Sequence, residues 1–360
     1  MDASLNAALN FSLDGAIVSC TPYGCGHINR TFLVVCRSGK RYILQGINKT
    51  IFTDIPGLMS NIEAVTGHIS AKCSDPRRCL HLVPALAGGS YYIDESGDFW
   101  RVYDYIEDSL CLQSPESPDD FYESAAAFGT FQKQLADFPA ETLHTTIPNF
   151  HNTPDRYRIF RQAIEEDRAG RLASVHAEVE DYLSYEDETA TLQGQLESGV
   201  LPLRVTHNDT KLNNVMLDAA TRKQLCVIDL DTVMPGLAAF DFGDSIRFGA
   251  ATAAEDEKEL SRVTMSLDLY STFTRGFISS CPGMTEAEKE SLPWGAKLMT
   301  LECGVRFLTD YLNGDIYFSI HRPEHNLDRC RTQIRLVHDM DGKWDEMNEI
   351  VRAESARCGG

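Results

Sequence analysis

The sequence predicts an α+β protein in which strands come first along the chain and helices dominate the remainder. Three observations indicate this fold class. Residues 17–105 contain short apolar runs separated by polar or glycine-containing turns, which is typical of strands. The later part of the chain repeats apolar residues at helical spacing. One short segment, residues 203–230, interrupts this helical part with apolar runs of strand length.

The N-terminal strands are predicted from individual apolar runs. Residues 31–36 and 41–45 flank a short connection that contains Gly39, the kind of turn that joins two strands of a hairpin. A helix is expected over residues 58–69, where the apolar residues change to helical spacing. Two further strands are expected over residues 91–93 and 99–105. Three more are expected over residues 203–206, 215–217 and 225–230.

Capping residues mark where the later helices begin. Ser117 followed by Pro118 predicts an N-cap with proline at the first helical position, and an apolar stripe over residues 121–135 follows it. Thr153 followed by Pro154 predicts a second helix start of the same type.

A third start is predicted near the C-terminus. Thr285 and Glu288 have the spacing of a capping box, and residues 298–312 repeat apolar side chains at helical intervals. Pro293 is expected to divide the helices in this region, because proline lacks the N–H group that a helix interior needs.

Composition narrows the classes of partner. The 360 residues include 53 acidic and 33 basic side chains, which gives a net charge of -20 that repels nucleic acid and anionic lipid surfaces. We therefore expect no nucleic acid and no membrane as partner. The lack of a basic, apolar leader and the eleven scattered cysteines predict a cytoplasmic protein with reduced thiols. We expect a monomer that acts on small molecules.

Two histidines raise the question of a metal site. His321 and His325 are four residues apart, a spacing that can bind zinc on a helix. Pro323 lies between them and disrupts the helix that would align the two rings. Scattered structural histidines are therefore the favoured interpretation.

The candidate catalytic and metal-binding residues are concentrated in the segment 203–230 and directly after it. Residues 207–214 are His-Asn-Asp-Thr-Lys-Leu-Asn-Asn, and residues 227–231 are Val-Ile-Asp-Leu-Asp. Phosphoryl transfer needs a carboxylate that deprotonates the acceptor hydroxyl, oxygen ligands for Mg²⁺ and positive charge near the transferred phosphate. The residues that can supply these in turn are Asp209, then Asn214 with Asp229, and Lys211.

The spacing of these residues matches the order of a protein-kinase catalytic loop, in which the aspartate is the base and the asparagine a metal ligand. The alternative is that residues 207–209 form a polar turn and Asp229 caps a strand, since asparagine and aspartate favour both settings. The apolar run before Asp229 indicates a carboxylate at the end of a buried strand, and such carboxylates usually have a partner, often a cation. Asp231 could be a second metal ligand or a cap.

Five segments together carry a resemblance to a known family: residues 22–29, 100–103, 204–214, 240–247 and 314–318. They resemble the aminoglycoside-phosphotransferase and choline-kinase branch of the protein-kinase-like fold, and within it the bacterial N-acetylhexosamine 1-kinases.

The resemblance covers nearly the whole chain and implies a bilobal fold. Its N-terminal lobe, residues 1–105, would contain a small antiparallel sheet and bind the nucleotide, and its C-terminal lobe, residues 106–360, would be mainly helical. The resemblance also implies that Asp209 is the catalytic base and that Asn214 and Asp229 bind magnesium. Asp241 would brace the catalytic loop.

A glycine-containing loop ahead of the first strong strand is a candidate phosphate site. Gly24 and Gly26 would allow backbone N–H groups to approach phosphate oxygens, although an ordinary hairpin turn explains two nearby glycines equally well. The resemblance implies that His27 and Asn29 face the phosphates or the acceptor. It also places adenine near Tyr105, in the link between the two lobes.

One position departs from the protein-kinase pattern. Gln45 stands where a kinase has the lysine of its third strand, and a neutral amide cannot form an ion pair with Glu63, the candidate glutamate of the following helix. The charge of the phosphates must then be neutralised by other groups. Lys211 and Mg²⁺ are the candidates.

The acceptor site is expected in the helical part. Glu302, Arg306 and Asp310 share one helix face, and for the two acids a solvated ladder of salt bridges is the favoured interpretation. The resemblance implies that Arg306 and Tyr317 bind the hydroxyls or the amide of a sugar. The other candidate acceptor residues are Asp209, Thr232 and Arg247, the last of which could instead brace Asp241 or Asp244.

The catalytic loop predicts an enzyme that uses ATP and Mg²⁺ to phosphorylate a hydroxyl, and the resemblance implies that this is the C1 hydroxyl of an N-acetylhexosamine. One alternative is a kinase of choline, homoserine or an aminoglycoside, although a cationic acceptor would need clustered carboxylates or an aromatic box. The other is an inert nucleotide-binding pseudokinase, which Gln45 suggests. A metal-dependent hydrolase is disfavoured, because no histidine-rich motif accompanies His207 and Asp209.

Overall fold

The computed structural model describes residues 3–24 and 28–358, and it confirms the predicted α+β class with an antiparallel sheet and a helical C-terminal part. Two compact units are distinguished. The first contains the chain up to Cys111, Asp137–Pro148 and Val215–Pro235. The second contains Leu112–Ala136, Asn149–Asn214 and the chain from Gly236 onward. The proposed lobe boundary at residue 105 stays a prediction.

The strands, in chain order, are β1 (Ile17–Pro22), β2 (Arg30–Cys36), β3 (Arg41–Gly46), β4 (Tyr91–Ile93), β5 (Phe99–Asp104), β6 (Ser109–Cys111), β7 (Arg204–Thr206), β8 (Val215–Asp218), β9 (Gln224–Val227) and β10 (Met234–Gly236). The helices are α1 (Ala3–Ala8), α2 (Ile55–Ser70), α3 (Pro118–Gln134), α4 (Thr153–Glu166), α5 (His176–Leu183), α6 (Thr191–Glu197), α7 (Ala238–Gly249), α8 (Leu267–Ser280), α9 (Glu286–Asn313), α10 (His325–Gly342) and α11 (Trp344–Cys358).

The first unit is built around a five-stranded sheet in the order β1-β2-β3-β5-β4, and every neighbouring pair in it is antiparallel. Side chains alternate between the two faces of each strand, so Val34, Leu44, Trp100 and Val102 are all buried in one core. The predicted strands over residues 31–36, 41–45, 91–93 and 99–105 are confirmed to within a residue.

A second antiparallel sheet of the same unit has the order β6-β8-β9 and carries the turn that contains Asp229. The predicted strand over residues 225–230 is wrong at its C-terminal end, because β9 stops at Val227. Asp229 adopts left-handed backbone angles, φ 61° and ψ 59°, which cannot continue an extended strand. The chain then makes a short 3₁₀ turn over Leu230–Thr232.

The second unit is helical, and its helix starts confirm most of the predicted caps. Ser117 and Thr285 each cap a helix, and both capping boxes are complete. The N-cap of α4 lies one residue earlier than predicted, because the side chain of Asn152 rather than that of Thr153 accepts the backbone N–H of Asp155. The prediction that Pro293 divides the helices is wrong: α9 runs without a break across it.

Close packing explains why α9 tolerates a proline. Gly295, two residues after Pro293, lies against α7 so closely that an added Cβ would be 2.1 Å from the carbonyl oxygen of Ala239. On the facing helix, a Cβ on Gly243 would be 2.1 Å from the carbonyl oxygen of Gly295. Helices in proteins are stabilised mainly by such packing, which offsets the backbone hydrogen bond that Pro293 cannot form.

Gly295→Ala is expected to lower the free energy of unfolding by about 3 kcal/mol, because the new methyl group must push two packed helices apart. Urea unfolding followed by circular dichroism measures this change. Gly194→Ala is the matched control: it lies in α6, an added Cβ there meets nothing within 4 Å, and the substitution should stabilise by roughly 0.5–1 kcal/mol. Equal effects of the two substitutions would contradict the close packing.

Two further properties concern the described residues as a whole. None of the helices within residues 3–24 and 28–358 combines the length and the apolar character needed to cross a bilayer. The cysteines of this part of the chain are all free thiols, and Cys36, Cys79, Cys226, Cys281 and Cys330 are buried among them. Burial raises the pKa of the Cys79 thiol to about 12, so that thiol stays protonated.

Candidate active site

The loop of residues 207–214, which follows β7, is held in place by a buried carboxylate. The carboxylate of Asp241, near the start of α7, accepts hydrogen bonds from the backbone N–H groups of His207 at 3.0 Å and Asn208 at 2.8 Å. It also accepts one from the side-chain Nε2 of Gln132 at 2.8 Å. Burial raises the pKa of Asp241, while His207 and these donors act in the opposite direction. Asp241 therefore fixes the backbone at the start of this loop.

His207 and Asn208 set the direction of the chain just before Asp209. The His207 ring is buried edge-on against the rings of Phe128 and Phe131, at centroid distances of 5.5 and 6.0 Å. Its Nδ1 accepts the backbone N–H of Asp209 at 3.2 Å. Asn208 has a left-handed φ of 65°, which asparagine adopts more readily than most residues. The turn therefore presents Asp209 in one orientation.

Three predicted residues of this loop meet at the Asp209 carboxylate. Lys211 Nζ lies 2.7 Å from Oδ1. Asn214 Nδ2 donates to Oδ2 at 3.1 Å and to the backbone oxygen of Asp209 at 2.8 Å. Burial disfavours a charged Lys211, but Asp209 and Asp244 outweigh it and raise the pKa of the lysine. A carboxylate with a permanent cation and an amide donor beside it is therefore the centre of the loop.

Arg247, a candidate acceptor residue, lies buried between two carboxylates of the second unit. It contacts Asp244 at 3.1 Å and Glu255 at 2.8 Å. Asp244 also accepts the backbone N–H of Thr210 at 3.1 Å. Burial acts to raise the pKa of Asp244, but Arg247 and Lys211 outweigh it and lower that pKa. Of the two partners suggested for Arg247, the structure shows Asp244.

Asp229 and Thr232 lie in the turn that follows β9. The Asp229 side chain is exposed and Thr232 is half-buried. The end of this turn is held by Asn61 of α2, which donates to the backbone oxygen of Val233 at 3.0 Å and to that of His144 at 2.8 Å. A rigid turn therefore carries an exposed carboxylate.

Asp231, two residues after Asp229, is held by side chains of the same unit. Its Oδ1 lies 2.5 Å from Nη1 of Arg101, and its Oδ2 accepts a hydrogen bond from Nδ2 of Asn29 at 2.6 Å. Arg101 also donates from Nε and Nη2 to Oε1 of Gln45, at 3.0 and 2.8 Å. Arg101 and Asp231 are 1% and 3% exposed. They form a buried ion pair that includes a residue of the same turn as Asp229.

Sequence reasoning missed Arg101, although a signal for it exists. The residue stands in a strand between Trp100 and Val102, where a charged side chain is unusual. A charge in a run of buried residues requires a partner of opposite charge. The partner, Asp231, is distant in sequence, so the pairing depends on the folded sheet.

Of the residues predicted to bind the nucleotide, some lie within the described part of the chain and others do not. Gly24 has a φ of 79°, a conformation that glycine adopts without strain. Gly26 and His27 lie outside the described residues. Tyr105 packs against the guanidinium of Arg41, which is 4.1 Å from the ring centroid, and its hydroxyl is 3.3 Å from that of Tyr23.

Glu302 shows that the predicted salt-bridge ladder on α9 is wrong. The residue is 2% exposed, and it contacts Nδ1 of His151 at 3.0 Å and accepts a hydrogen bond from the Thr153 hydroxyl at 3.1 Å. Asp310, on the same face, is 4% exposed. Both acids are buried because this face of α9 packs inward instead of facing water.

Asp310 shapes the loop that carries Tyr317. Its carboxylate accepts the backbone N–H groups of Ile316, Tyr317 and Phe318 at 3.0, 2.8 and 3.0 Å, and the side-chain amide of Asn326 at 2.9 Å. The loop is thus fixed by its backbone, while the side chains of Ile316 and Tyr317 are 74% and 70% exposed.

Arg306 and Tyr317, which were predicted together, lie side by side. The guanidinium carbon of Arg306 is 5.8 Å from the ring centroid of Tyr317 and 5.4 Å from that of Phe318. Such distances allow a cation–π contact. The pair therefore offers an exposed aromatic surface next to a group of hydrogen-bond donors.

Asn214 and Asp229 have the donor atoms that Mg²⁺ prefers. The amide nitrogen of Asn214 is directed at Asp209, so its amide oxygen is the atom left for a cation. Asp229 supplies an exposed carboxylate. Residues 3–24 and 28–358 contain no group of three or more His, Cys, Asp or Glu side chains that could hold a metal. Amide and carboxylate oxygens are ligand types that suit a magnesium ion.

Comparison with known proteins decides the family. A profile of the phosphotransferase enzyme family, APH, matches residues 19–262, which is more than half of the chain. The chain belongs to the phosphotransferase enzyme family. The predicted aminoglycoside-phosphotransferase branch is thereby confirmed, whereas the N-acetylhexosamine acceptor stays a prediction.

Solved structures show that this phosphotransferase shares the fold of protein-kinase-like enzymes. It is similar to a microcompartment-associated aminopropanol kinase, with a TM-score of 0.57 and 15% identity over 96% of this chain and 97% of that one. It is similar to an amicoumacin kinase in complex with AMP-PNP and Ca²⁺, with a TM-score of 0.58 and 14% identity over 91% of each chain. It is also similar to a choline kinase from Streptococcus pneumoniae, with a TM-score of 0.51 and 13% identity over 91% of this chain and 94% of that one.

The range matched by the family profile includes some of the candidate residues and not others. Residues 19–262 include the 207–214 loop, Asp229, Asp241 and Arg101. Arg306 and Tyr317 lie beyond it. The match therefore bears on the transfer chemistry and not on the acceptor.

Proposed function

We propose that this phosphotransferase uses ATP and Mg²⁺ to phosphorylate the C1 hydroxyl of an N-acetylhexosamine. The observation that carries the proposal is the arrangement at Asp209, where Lys211 and Asn214 both contact the carboxylate and Asp241 fixes the backbone of the loop. Phosphoryl transfer is catalysed mainly by positioning and by charge stabilisation, and this arrangement supplies both.

Asp209 acts as the base in this proposal. Its carboxylate orients the acceptor hydroxyl and takes the proton as the hydroxyl oxygen bonds to the γ-phosphorus. The bond between that phosphorus and the bridging oxygen of the β-phosphate breaks, and ADP leaves. Lys211 keeps positive charge beside Asp209 and the phosphoryl group that is transferred.

Asn214 and Asp229 are the residues proposed to hold Mg²⁺. Both offer oxygen atoms, which suit a hard cation. When bound, the ion supplies positive charge that neutralises the β- and γ-phosphates. Asn214 would then connect two functions, because its amide nitrogen restrains Asp209 while its amide oxygen binds the cation.

A neutral acceptor is supported by three acids of the second unit that each contact a basic side chain. Asp244 and Glu255 both contact Arg247, and Glu302 contacts His151. A cationic acceptor such as choline would need carboxylates without such partners or an aromatic box. An N-acetyl sugar needs hydrogen-bond donors and an aromatic face, which Arg306 and Tyr317 provide.

A panel of acceptors tests the proposed function. Purified protein is incubated with ATP, Mg²⁺ and one of N-acetylglucosamine, N-acetylgalactosamine, free hexoses, choline, homoserine or an aminoglycoside, and ADP release is coupled to NADH oxidation. We expect turnover with an N-acetylhexosamine and a product with its phosphate on C1 by NMR. Turnover with only an amino alcohol would favour the kinase activities named for the aminopropanol and choline kinases. No ADP with any acceptor would favour a pseudokinase.

Tyr317→Ala is expected to raise KM for N-acetylglucosamine about tenfold and to change kcat little, because the ring contributes binding that is equal in the ground and transition states. Ile316→Ala is the matched control, since Ile316 is equally exposed on the same loop. Steady-state kinetics at saturating ATP measure both variants. An unchanged KM in Tyr317→Ala, or the same rise in both variants, would contradict a contact between Tyr317 and the acceptor.

A further inference from the structure

The five-stranded sheet of the first unit has a buried arginine, Arg101, in β5. A protein kinase has a lysine in the neighbouring strand β3, at the position of Gln45. Gln45 of β3 is the cross-strand partner of Arg101 of β5 in the antiparallel register. Neighbouring side chains on one face of a sheet are close enough to interact. The Gln45 amide is oriented by Thr31, whose hydroxyl accepts from Nε2 at 3.2 Å, so Oε1 is directed at Arg101. The glutamine thus holds the arginine in place.

All three guanidinium nitrogens of Arg101 contact groups of the first unit. Nε and Nη2 donate to Gln45, Nη1 contacts Asp231, and the guanidinium lies 5.2 Å from the ring centroid of Tyr103. Burial disfavours a charged arginine, but Asp231 outweighs it and raises the pKa of Arg101. With 1% of its surface exposed, Arg101 is not placed to bind a phosphate directly.

Asp231 is engaged in the same way. One carboxylate oxygen contacts Arg101 and the other accepts the hydrogen bond of Asn29. Asn29 is fixed in turn, because its Oδ1 accepts the backbone N–H of Asn48 at 3.0 Å, and Asn48 donates to the backbone oxygen of Ile28 at 3.2 Å. Both oxygens of Asp231 are therefore directed at side chains of the first unit.

We propose that Arg101 is a positioning residue that acts through Asp231: the pair fixes the Asp229 turn and, through Asn29, the segment that follows the glycine loop. Asp231 is accordingly an anchor and not a second metal ligand. The inference rests on the proposed function, because it assigns the pair a part in placing groups around the nucleotide and its metal.

The geometry explains why both partners are needed. A buried ion pair stabilises a fold only weakly, because removing two charges from water offsets their attraction. Loss of one partner, however, leaves the other as an uncompensated buried charge. Arg101→Met and Asp231→Asn should therefore disturb the same turn, and the double variant should be no worse than either single variant.

The experiment measures binding of AMP-PNP by calorimetry over a range of Mg²⁺ concentrations for the wild type, Arg101→Met, Asp231→Asn and the double variant. We expect both single variants to weaken Mg²⁺-dependent AMP-PNP binding by a similar factor, about tenfold. The double variant should match them. Thermal unfolding of each variant shows whether the protein used for binding is folded. The double variant has no unpaired buried charge, so it remains informative if a single variant fails to fold.

Arg77→Met is the matched control, because Arg77 pairs with Asp218 at 2.9 Å in the same unit and should keep wild-type binding when replaced. A higher Mg²⁺ requirement in Asp231→Asn alone would make Asp231 a metal ligand and overturn the inference. Weaker binding in Arg101→Met alone would make Arg101 a phosphate ligand. Lower thermal stability with unchanged binding would make the pair merely structural.

This readout separates the inference from the proposed function, since binding of AMP-PNP needs no acceptor. If the wild type binds AMP-PNP with Mg²⁺ and the two single variants behave differently, only the inference fails. If the wild type does not bind AMP-PNP with Mg²⁺, the proposed function fails and the inference with it.

Discussion

Asp209→Asn is expected to lower kcat by about 10³-fold while leaving AMP-PNP affinity unchanged, because the amide cannot accept the proton of the acceptor hydroxyl. The substitution keeps the size of the side chain and an oxygen that can still accept the hydrogen bond from Asn214. The loss should therefore appear in the transfer step. Coupled ADP release measures kcat, and calorimetry with AMP-PNP measures nucleotide binding.

Asp187→Asn is a suitable control for this variant, since Asp187 is an exposed acid of the second unit, in the short 3₁₀ turn Glu186–Glu188. It should retain the kcat of the wild type. Turnover of Asp209→Asn at a rate close to that of the wild type would show that another group accepts the proton. Weakened AMP-PNP binding in Asp209→Asn would instead indicate that the carboxylate contacts the metal or the phosphates.

Asp241→Ala is expected to lower the free energy of unfolding by about 3 kcal/mol, because three buried N–H donors lose a charged acceptor at once. Two of them are backbone groups of the 207–214 loop, those of His207 and Asn208. Turnover should fall as well, since the loop that presents Asp209 loses its brace. Urea unfolding measures the first effect, and kcat at a temperature well below the unfolding transition measures the second.

Asp268→Ala is the matched control for this prediction. Asp268, like Asp241, is an acid in the first turn of a helix, but it is exposed. Only its interaction with the helix dipole is lost, which should cost less than about 1 kcal/mol. If Asp241→Ala were as mild as Asp268→Ala, the hydrogen bonds to the loop would not be what holds it.

The central residues of the candidate site could be predicted because they are local in sequence. Asp209, Lys211 and Asn214 lie on one loop, so their spacing alone limits how far apart the side chains can be, and the structure brings them into contact. The strands on either side were predicted for a similar reason, since a run of alternating apolar residues is itself the signal.

The pair of Arg101 and Asp231 could not be predicted in this way. Their contact requires the register that places Arg101 opposite Gln45 and the turn that follows β9, and neither is encoded by nearby residues. The sequence showed only that Gln45 is neutral. Where the compensating charge lies is decided by the packing of distant segments.

Helix α9 shows how tertiary packing overrides a local rule. Proline disfavours a helix interior, yet Pro293 lies within one, because Gly295 lets α7 and α9 pack in close contact. The same packing buries Glu302 and Asp310, whose spacing alone is equally consistent with an exposed face. In each case the environment of the helix, and not its own sequence, determines the outcome.

The most direct test of the central claim is the binding of Mn²⁺, as a paramagnetic substitute for Mg²⁺, measured by electron paramagnetic resonance in the presence of AMP-PNP. The claim is that Asn214 and Asp229 hold the ion that accompanies the nucleotide. The account predicts that Asn214→Ala and Asp229→Asn each weaken Mn²⁺ binding by at least about 10-fold, because even the residues that only orient metal ligands contribute about 10- to 100-fold. Binding as tight as that of the wild type in both variants would contradict it.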